Sequence, residues 1–470
     1  MVVTRRKRKE STDVSIYLNN KPLEQVNNIK YLGIIIDSKL NFREHIIQTS
    51  RKCTTLIHVL PKSAKLSWGL KHKVLDTIYK AAILPLMLYG ALVWIGAMEK
   101  KCNKTIYSRV QRLMNIKIAK AYRTTSNEAL CTLTGITPIE IKAEETANVY
   151  RITRDRKNHQ LDHEIELKDW THPADTVTIS EQNEANEHTI EIITEGSKNE
   201  HGFGSGTVIY VQNMLTHQMK HKLHDKCSNN QAEQMAIVKA LQAIETIKIN
   251  NNNPRTIKIH TDSRITLESV KNTKNRNHLI EEIRKKTALE KENWNIEYAW
   301  IKAHAGNYGN ELADRLAKEA ARNSDISYNK FPKSEIERQE REKSIQKWQK
   351  QWENSTKGSV TKEFFPNIKD RLKMKINLTP NFTAMITAHG KTRSYLYRFK
   401  IIESSECPCA NGNKTVDHLI YEYNKPNNER EKMIAHISKE DNWPIRKSEL
   451  VKKYLKQFIH FTNSIDYEKL

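Results

Sequence analysis

Apolar residues change their spacing several times between residues 188 and 325. "TIEIIT" (Thr189 to Thr194) has the β-branched density of a strand, and "GTVIY" reads as a second strand after a glycine-rich turn. "NQAEQMAIVKALQAIETI" then places apolar side chains three and four residues apart, which predicts a helix with one buried face. A strand ("TIKIHTD"), a helix, a strand ("WNIEYAWIKAH") and a final helix ("NELADRLAKEAA") follow. Strands mixed with helical crossovers predict an α/β domain.

The flanks read differently. "VNNIKYLGIIIDSKLNF" signals strand and turn, and helical spacing covers about Arg43 to Leu60, Lys71 to Tyr89 and Ile106 to Ala121. The expected division is 1–155, mainly helical; 156–187, a polar acidic linker; 188–325, the α/β domain; and 326–470, a small helical region. In the last block, residues 334–353 form a charged helix with Trp348 and Trp352 one turn apart. Asn250 to Asn253 read as a loop tip, and internal repeats are not evident. The most apolar stretch, "AAILPLMLYGALVWIGAM", is interrupted by Pro85 and Gly90. A membrane span needs about 20 apolar residues, so a buried helix and connection are expected and no membrane partner.

Charge narrows the function. The 470 residues carry a formal net charge of +23, which favours a polyanionic partner, most simply nucleic acid; the alternative is a solvated basic surface. Arg5 to Lys9 read either as a nuclear address, as a phosphate-binding arm or as an exposed basic end. Six cysteines are too few for a disulfide scaffold and suggest a reducing compartment. An intracellular, nuclear location is the expectation.

Four carboxylates stand out in the α/β block. Glu195 follows the first strand, Glu233 opens the apolar stripe of the first helix, Asp262 ends "TIKIHTD", and Asp314 lies early in the last helix. Singly, each has an ordinary reading: a turn residue for Glu195, helix amino-terminal charges for Glu233 and Asp314, an N-cap for Asp262. Together, carboxylates gathered at one end of a sheet are what a pair of Mg²⁺ ions requires, and two metals can activate water and stabilise a leaving oxygen.

"TEGSK…GFGSG", "NNQAEQMAI", "HTDSRITL" and "WIKAHAGNYGNELADRLAKEA" resemble, in order, the motifs of a cellular-type ribonuclease H domain. The resemblance implies a five-stranded mixed sheet with helices on both faces. It further implies cleavage of the RNA strand of an RNA–DNA hybrid with two Mg²⁺ ions, or Mn²⁺ in their place. By position, Glu195, Glu233, Asp262 and Asp314 match the metal-binding carboxylates and His304 the histidine that assists proton transfer or product release. Ser197, Asn229, Gln231 and Ser263 match positions that touch the hybrid backbone. The departure is Glu195, where the family has Asp. A side chain one methylene longer sets a slowed enzyme, or a nucleic-acid-binding remnant, against a working nuclease.

"IKYLGIIIDSKLNFREHI", "ILPLMLYGALVW" and "AYRTTSNEALCTLTGITPIE" resemble the thumb and connection that follow the palm in Jockey-like non-LTR retrotransposon reverse transcriptases. Neither Tyr-x-Asp-Asp nor Phe-x-Asp-Asp occurs, so no polymerase activity is expected, and the chain reads as a partial copy of such an element. Related elements carry Cys-x-Cys, His and a further Cys in the carboxyl block. Here Cys407, Cys409 and His418 are in place, with Tyr423 at the last position, which implies at most an incomplete Zn²⁺ site, the alternative being a degenerate turn. Trp348, Trp352, Tyr395 and Tyr397 are candidates either for stacking on bases or for the core, and Lys391, Arg393 and Arg398 for a phosphate patch. Retroelement proteins are the other expected partners.

Overall fold

The computed structural model describes the chain except residues 2, 4–14, 60–70, 155–159, 164–169, 172–176, 181–188, 247–255, 291–292, 303–307, 391, 424–427 and 466–470. Two compact units are present: Arg151–Gln339, and a second made of Met1–Tyr150 with Glu340–Leu470.

Unit Arg151–Gln339 is built on a mixed sheet. Its strands are β1 (Thr178–Ser180), β2 (Thr189–Asn199), β3 (Gly202–Val211), β4 (Met214–Leu223), β5 (Thr256–Thr261), β6 (Asn295–Trp300) and β7 (Ile326–Tyr328). Their spatial order is β7-β4-β3-β2-β5-β6-β1. β2, β3 and β4 form an antiparallel meander, while β5, β6 and β1 add in parallel on the other side of β2. The helices are α1 (Asn229–Ile244), α2 (Arg264–Lys271), α3 (His278–Glu290) and α4 (Tyr308–Ala320).

Strand alternation divides the core into two layers. Ile190, Ile192, Ile257 and Ile259 pack with Ile237 and Leu241 of α1 and Leu279 and Ile283 of α3. On the opposite face Ile193 and Val208 meet Leu312, Ala313 and Leu316 of α4. Each such side chain, fully buried, is worth about 1.5–3 kcal/mol relative to exposure.

The glycine-rich stretch is mostly strand, and only Glu200 and His201 turn. β2 runs through Gly196 to Asn199, and Gly204 and Gly206 lie inside β3. A Cβ at Gly206 would fall 2.0 Å from the Ala313 carbonyl oxygen, and one at Gly204 would fall 2.1 Å from that of Ala317. These glycines let α4 lie directly on the sheet, a role glycine has in strands where another backbone approaches.

The sheet has seven strands rather than the expected five. β1 and β7 come from segments outside 188–325 and cover the outer edges of β6 and β4. The stretch expected to be only a linker also contributes Leu161, which bridges to Phe331, and Thr171, whose N–H and hydroxyl donate to Glu281. Glu281 is buried and paired with buried Arg284, whose guanidinium also donates to the carbonyls of Ser269, Val270, Asn272 and Asn275. Polar composition hid these few anchors. A fragment cut to 188–325 would bare both edges, and unpaired edges invite intermolecular pairing. Its soluble yield and melting temperature are expected to fall below those of 151–339, as sedimentation and thermal unfolding would show; equal behaviour of the two would refute an edge-covering role.

The second unit corrects the expected separation of the first and last blocks. Ile46, Tyr79, Trp94, Met114 and Ile118 share one core with Phe364, Phe382, Met385, Phe458 and Phe461. The Thr383 hydroxyl donates to the Ala119 carbonyl at 2.6 Å, and the Arg371 guanidinium donates to that of Leu133. Helix Lys333–Asn354 carries Trp348 and Trp352, both buried against Ala129, Cys131 and Ile141, so these rings serve packing rather than stacking on bases. The apolar stretch around Pro85 is a broken helix, His72–Leu88 and Ala91–Glu99, bent by 51° at its break. Its Tyr79, Ile83, Met87 and Trp94 are buried in the same core. No single helix among the described residues is long and apolar enough to cross a membrane, although this bent pair passes on length and composition.

Candidate active site

Parallel pairing of β2 with β5 aligns Thr194 with Thr261, so Glu195, inside β2, and Asp262, just past the end of β5, stand at the same level. The Thr194 hydroxyl donates to the His260 carbonyl at 3.0 Å. Past the end of β5, the Asp262 carbonyl accepts from the Trp300 indole N–H at 3.0 Å, and the Arg264 guanidinium stacks on that ring at 3.9 Å. Glu233 arrives from the first turns of α1, whose start is set by a capping box between Ser228 and Gln231. A Cβ at 196 would stand 2.6 Å from the Glu233 nitrogen and 2.8 Å from its carboxyl carbon, so the approach requires glycine.

One carboxylate oxygen from each of Glu195, Glu233 and Asp262 lies within 4.8 Å of the others. Glu195 is 7% and Glu233 4% exposed. One oxygen of each, Oε2, is buried with no hydrogen-bond partner among the described residues. Burial, and then the carboxylates of Asp262 and Asp314, push Glu195 up to about 8. Burial, with Glu195 and Asp262 close by, also raises Glu233 well above the carboxylate range, despite the Gly196 N–H. Three carboxylates this close cannot all ionise without protons or a cation among them. Orphaned hard oxygen donors at this spacing are the donor set a divalent cation takes.

Asp314 stands beside this group rather than in it. It is close enough to raise Glu195, but its Oδ2 accepts from Lys318 Nζ at 2.5 Å, one helical turn on. His304 falls outside the described residues. Ser197 lies on β2 two residues past Glu195 and is buried, while Asn229 is exposed at the start of α1. Gln231 has other work: its Oε1 accepts from Ser228, and its Nε2 donates to Asp162 Oδ2 at 2.8 Å and to the Lys330 carbonyl at 3.2 Å. Ser263 caps α2, accepting from the Thr266 N–H. Contact of Gln231 with a hybrid would require breaking these bonds.

Residues 187–322 match the family described as RNase H. They form an RNase H domain. The chain is 32% identical over 142 residues to a Pol polyprotein of a type-1 retrotransposable element, R1, from Nasonia vitripennis, covering 30% of this chain and 36% of that protein. It is 27% identical over 158 residues to a 115 kDa protein of the Drosophila melanogaster element R1DM, covering 34% and 15%. The chain thus spans well under half of these relatives' length. A solved structure, RNase H1 from Halobacterium salinarum, is similar at 18% identity, covering 28% of this chain and 96% of that one, with a TM-score of 0.23.

The sequence pointed to Glu195, Glu233 and Asp262, which converge, but not to Gly196, Gly204 and Gly206, which let α1 and α4 lie close against the sheet. Their signal was glycine at alternating or neighbouring positions beside a β-branched run.

Outside the RNase H domain, Cys407, Cys409 and His418 also converge within 4.8 Å. Cys409 Sγ lies 3.1 Å from His418 Nε2, and His418 Nδ1 faces Glu422 at 3.3 Å. The Tyr423 ring stands edge-on to His418, centroids 6.0 Å apart. Burial, with both sulfurs near, raises its hydroxyl. Lys391 is outside the described residues, and Arg393 and Arg398 share the short helix Arg393–Arg398.

Proposed function

We propose that the RNase H domain hydrolyses the RNA strand of an RNA–DNA hybrid with two Mg²⁺ ions, Mn²⁺ being an alternative. The observation that carries this reading is the convergence of Glu195, Glu233 and Asp262, with a buried oxygen on each of the two glutamates that has no partner among the described residues. These three, joined by Asp314, would hold the ions; bound metal supplies water activation and charge neutralisation at the leaving oxygen. The chain's own groups set the geometry. Gly196 leaves room for Glu233, and the β2–β5 register places Glu195 beside Asp262. Lys318 pairs with Asp314 one turn along α4. His304 would move a proton, since a histidine ordinarily titrates near neutrality, while Ser197 and Asn229 would meet the hybrid backbone. We place the protein in the nucleus, where a basic retroelement-derived nuclease would meet its hybrid. The cysteine–histidine group suits Zn²⁺ with three protein ligands and Tyr423 nearby.

Purified protein given labelled RNA–DNA hybrid and Mg²⁺ is expected to cut the RNA and to spare single-stranded RNA. The competing reading, a binding remnant, rests on Glu195 standing where the family has Asp. It prevails if the wild type binds hybrid without cutting while Glu195→Asp cuts.

Metal binding has its own readout. At ten times the dissociation constant, Mg²⁺ or Mn²⁺ should stabilise the native state by about 1.4 kcal/mol and raise its melting temperature by about 3–6 °C. EDTA should reverse the shift and Asp262→Asn should lack it. An equal shift in that variant would place the ion elsewhere.

A further inference from the structure

The unit made of Met1–Tyr150 and Glu340–Leu470 contains a cavity of about 590 Å³ that the nuclease reading does not use. Arg112, Lys357, His389 and Arg398 line it, against Glu128 as the one carboxylate among the lining residues. They come from segments far apart in sequence, so the fold, not a local basic run, brings them together. Arg112 is fixed by donating to the Arg123 carbonyl at 2.6 Å. The field in the cavity is positive: burial lowers the His389 imidazole, and Arg398 and Arg112 lower it further.

Helix Asn127–Thr134 opens on the same cavity. Its cap, Ser126, accepts the Ala129 N–H. Thr125, one residue earlier, is fully buried and lines the cavity, yet its hydroxyl has no hydrogen-bond partner among the described residues. Asn127 Oδ1 is unpartnered in the same sense. A buried hydroxyl without a partner costs stability, and one lining a cationic cavity at a helix amino terminus has an anion as its natural partner.

An aromatic run continues from the cavity wall. His389 and Tyr395 lie 5.1 Å apart, Tyr395 and Phe399 4.7 Å. The Thr124 hydroxyl ties the first two together, at 3.1 Å from His389 Nδ1 and 2.6 Å from the Tyr395 hydroxyl. Phe399 is 45% exposed, with Arg398 5.3 Å from its ring centre. Cations beside an exposed ring match a strand whose base faces are uncovered, which a duplex does not offer. We propose that this cavity takes a backbone phosphate of single-stranded nucleic acid, with a neighbouring base stacked on Phe399.

The test is binding of a labelled single-stranded DNA, about 12 nucleotides long, to the full chain. EDTA is present, so that hybrid cleavage and metal binding do not enter. Arg398→Gln is expected to weaken binding about tenfold and reduce the logarithmic salt slope by about one. Phe399→Ala should weaken it by a similar factor with the slope unchanged. Thr125→Val should weaken binding while raising the melting temperature of the unliganded protein, a pair of effects a structural hydroxyl would not give. Lys375→Gln, at an exposed site elsewhere on the unit, should change affinity less than twofold. The proposal is overturned if the Arg398, Phe399 and Thr125 variants behave like Lys375→Gln. It is also overturned if inorganic phosphate or a phosphoserine peptide binds the wild type as tightly as the strand does.

Discussion

Asp262→Asn is expected to lower the rate of hybrid cleavage by about 10³-fold, the scale for removing one charge-stabilising group from a water-excluded site. Asn keeps the shape and one oxygen but loses the anion, and Asp262 belongs to the close group of three carboxylates. The same change should make the metal-free protein more stable. Glu195 is raised to about 8 by burial first and by Asp262 second. Its folded pKa exceeds the ordinary value, so between about pH 4.5 and 8 the native state holds a proton that the unfolded chain has released. Metal-free stability therefore falls as pH rises through that window. Asp262→Asn removes one source of the repulsion and should flatten the fall. Thermal unfolding in EDTA at pH 6 and pH 9, beside single-turnover cleavage in Mg²⁺, would show a variant steadier at pH 9 and inactive. A variant that loses stability along with activity would mean that Asp262 acts through folding.

The second large effect is expected from Gly206→Ala. Relieving a glycine in a strand normally gains about 0.5–1 kcal/mol. Here the added methyl would meet the Ala313 carbonyl oxygen at 2.0 Å and the Ala317 nitrogen at 2.8 Å. Both are backbone atoms of α4, so no rotamer change relieves the contact and the helix must move outward. Overpacking of this kind costs about 3 kcal/mol, which outweighs the entropic gain and lowers the melting temperature by roughly 10 °C. Asp314 rides on the displaced helix, one residue from Ala313. A shift near 1 Å is enough to slow cleavage by about 10²-fold. Ser205→Ala, at the neighbouring position on the other face of β3, should leave cleavage close to wild type. Full activity in Gly206→Ala would show that α4 contributes nothing placed to the site.

Much of the RNase H domain was readable because its signals are local. The β-branched run before Glu195, the stripe behind Glu233 and the "HTD" strand end each lie within one element, and the order of motifs joined them. β4 escaped because "MLTHQMKHKL" is exposed along most of its length and shows little apolar alternation. Two helices stand where one was read, since the break between α2 and α3 is polar and carries no proline or glycine. The Asp314–Lys318 pair was visible as a spacing of four but says nothing by itself about distance from the other carboxylates. Long-range joins were out of reach: nothing near Met114 announces Phe458, and nothing near Arg112 announces Arg398.

The core shared by Met114 and Phe458 also bears on how the chain is made. A ribosome delivers residues in order, at about 5–20 per second. The first 150 residues must wait while Arg151–Gln339 emerges, on the order of ten seconds or more at that pace. During that interval Tyr79, Trp94 and Met114 have no Phe382 or Phe458 to pack against. Arg151–Gln339, whose sheet closes within its own stretch of chain, can finish first. Chaperone dependence should therefore concentrate on the amino-terminal segment and end only when the last helices are synthesised.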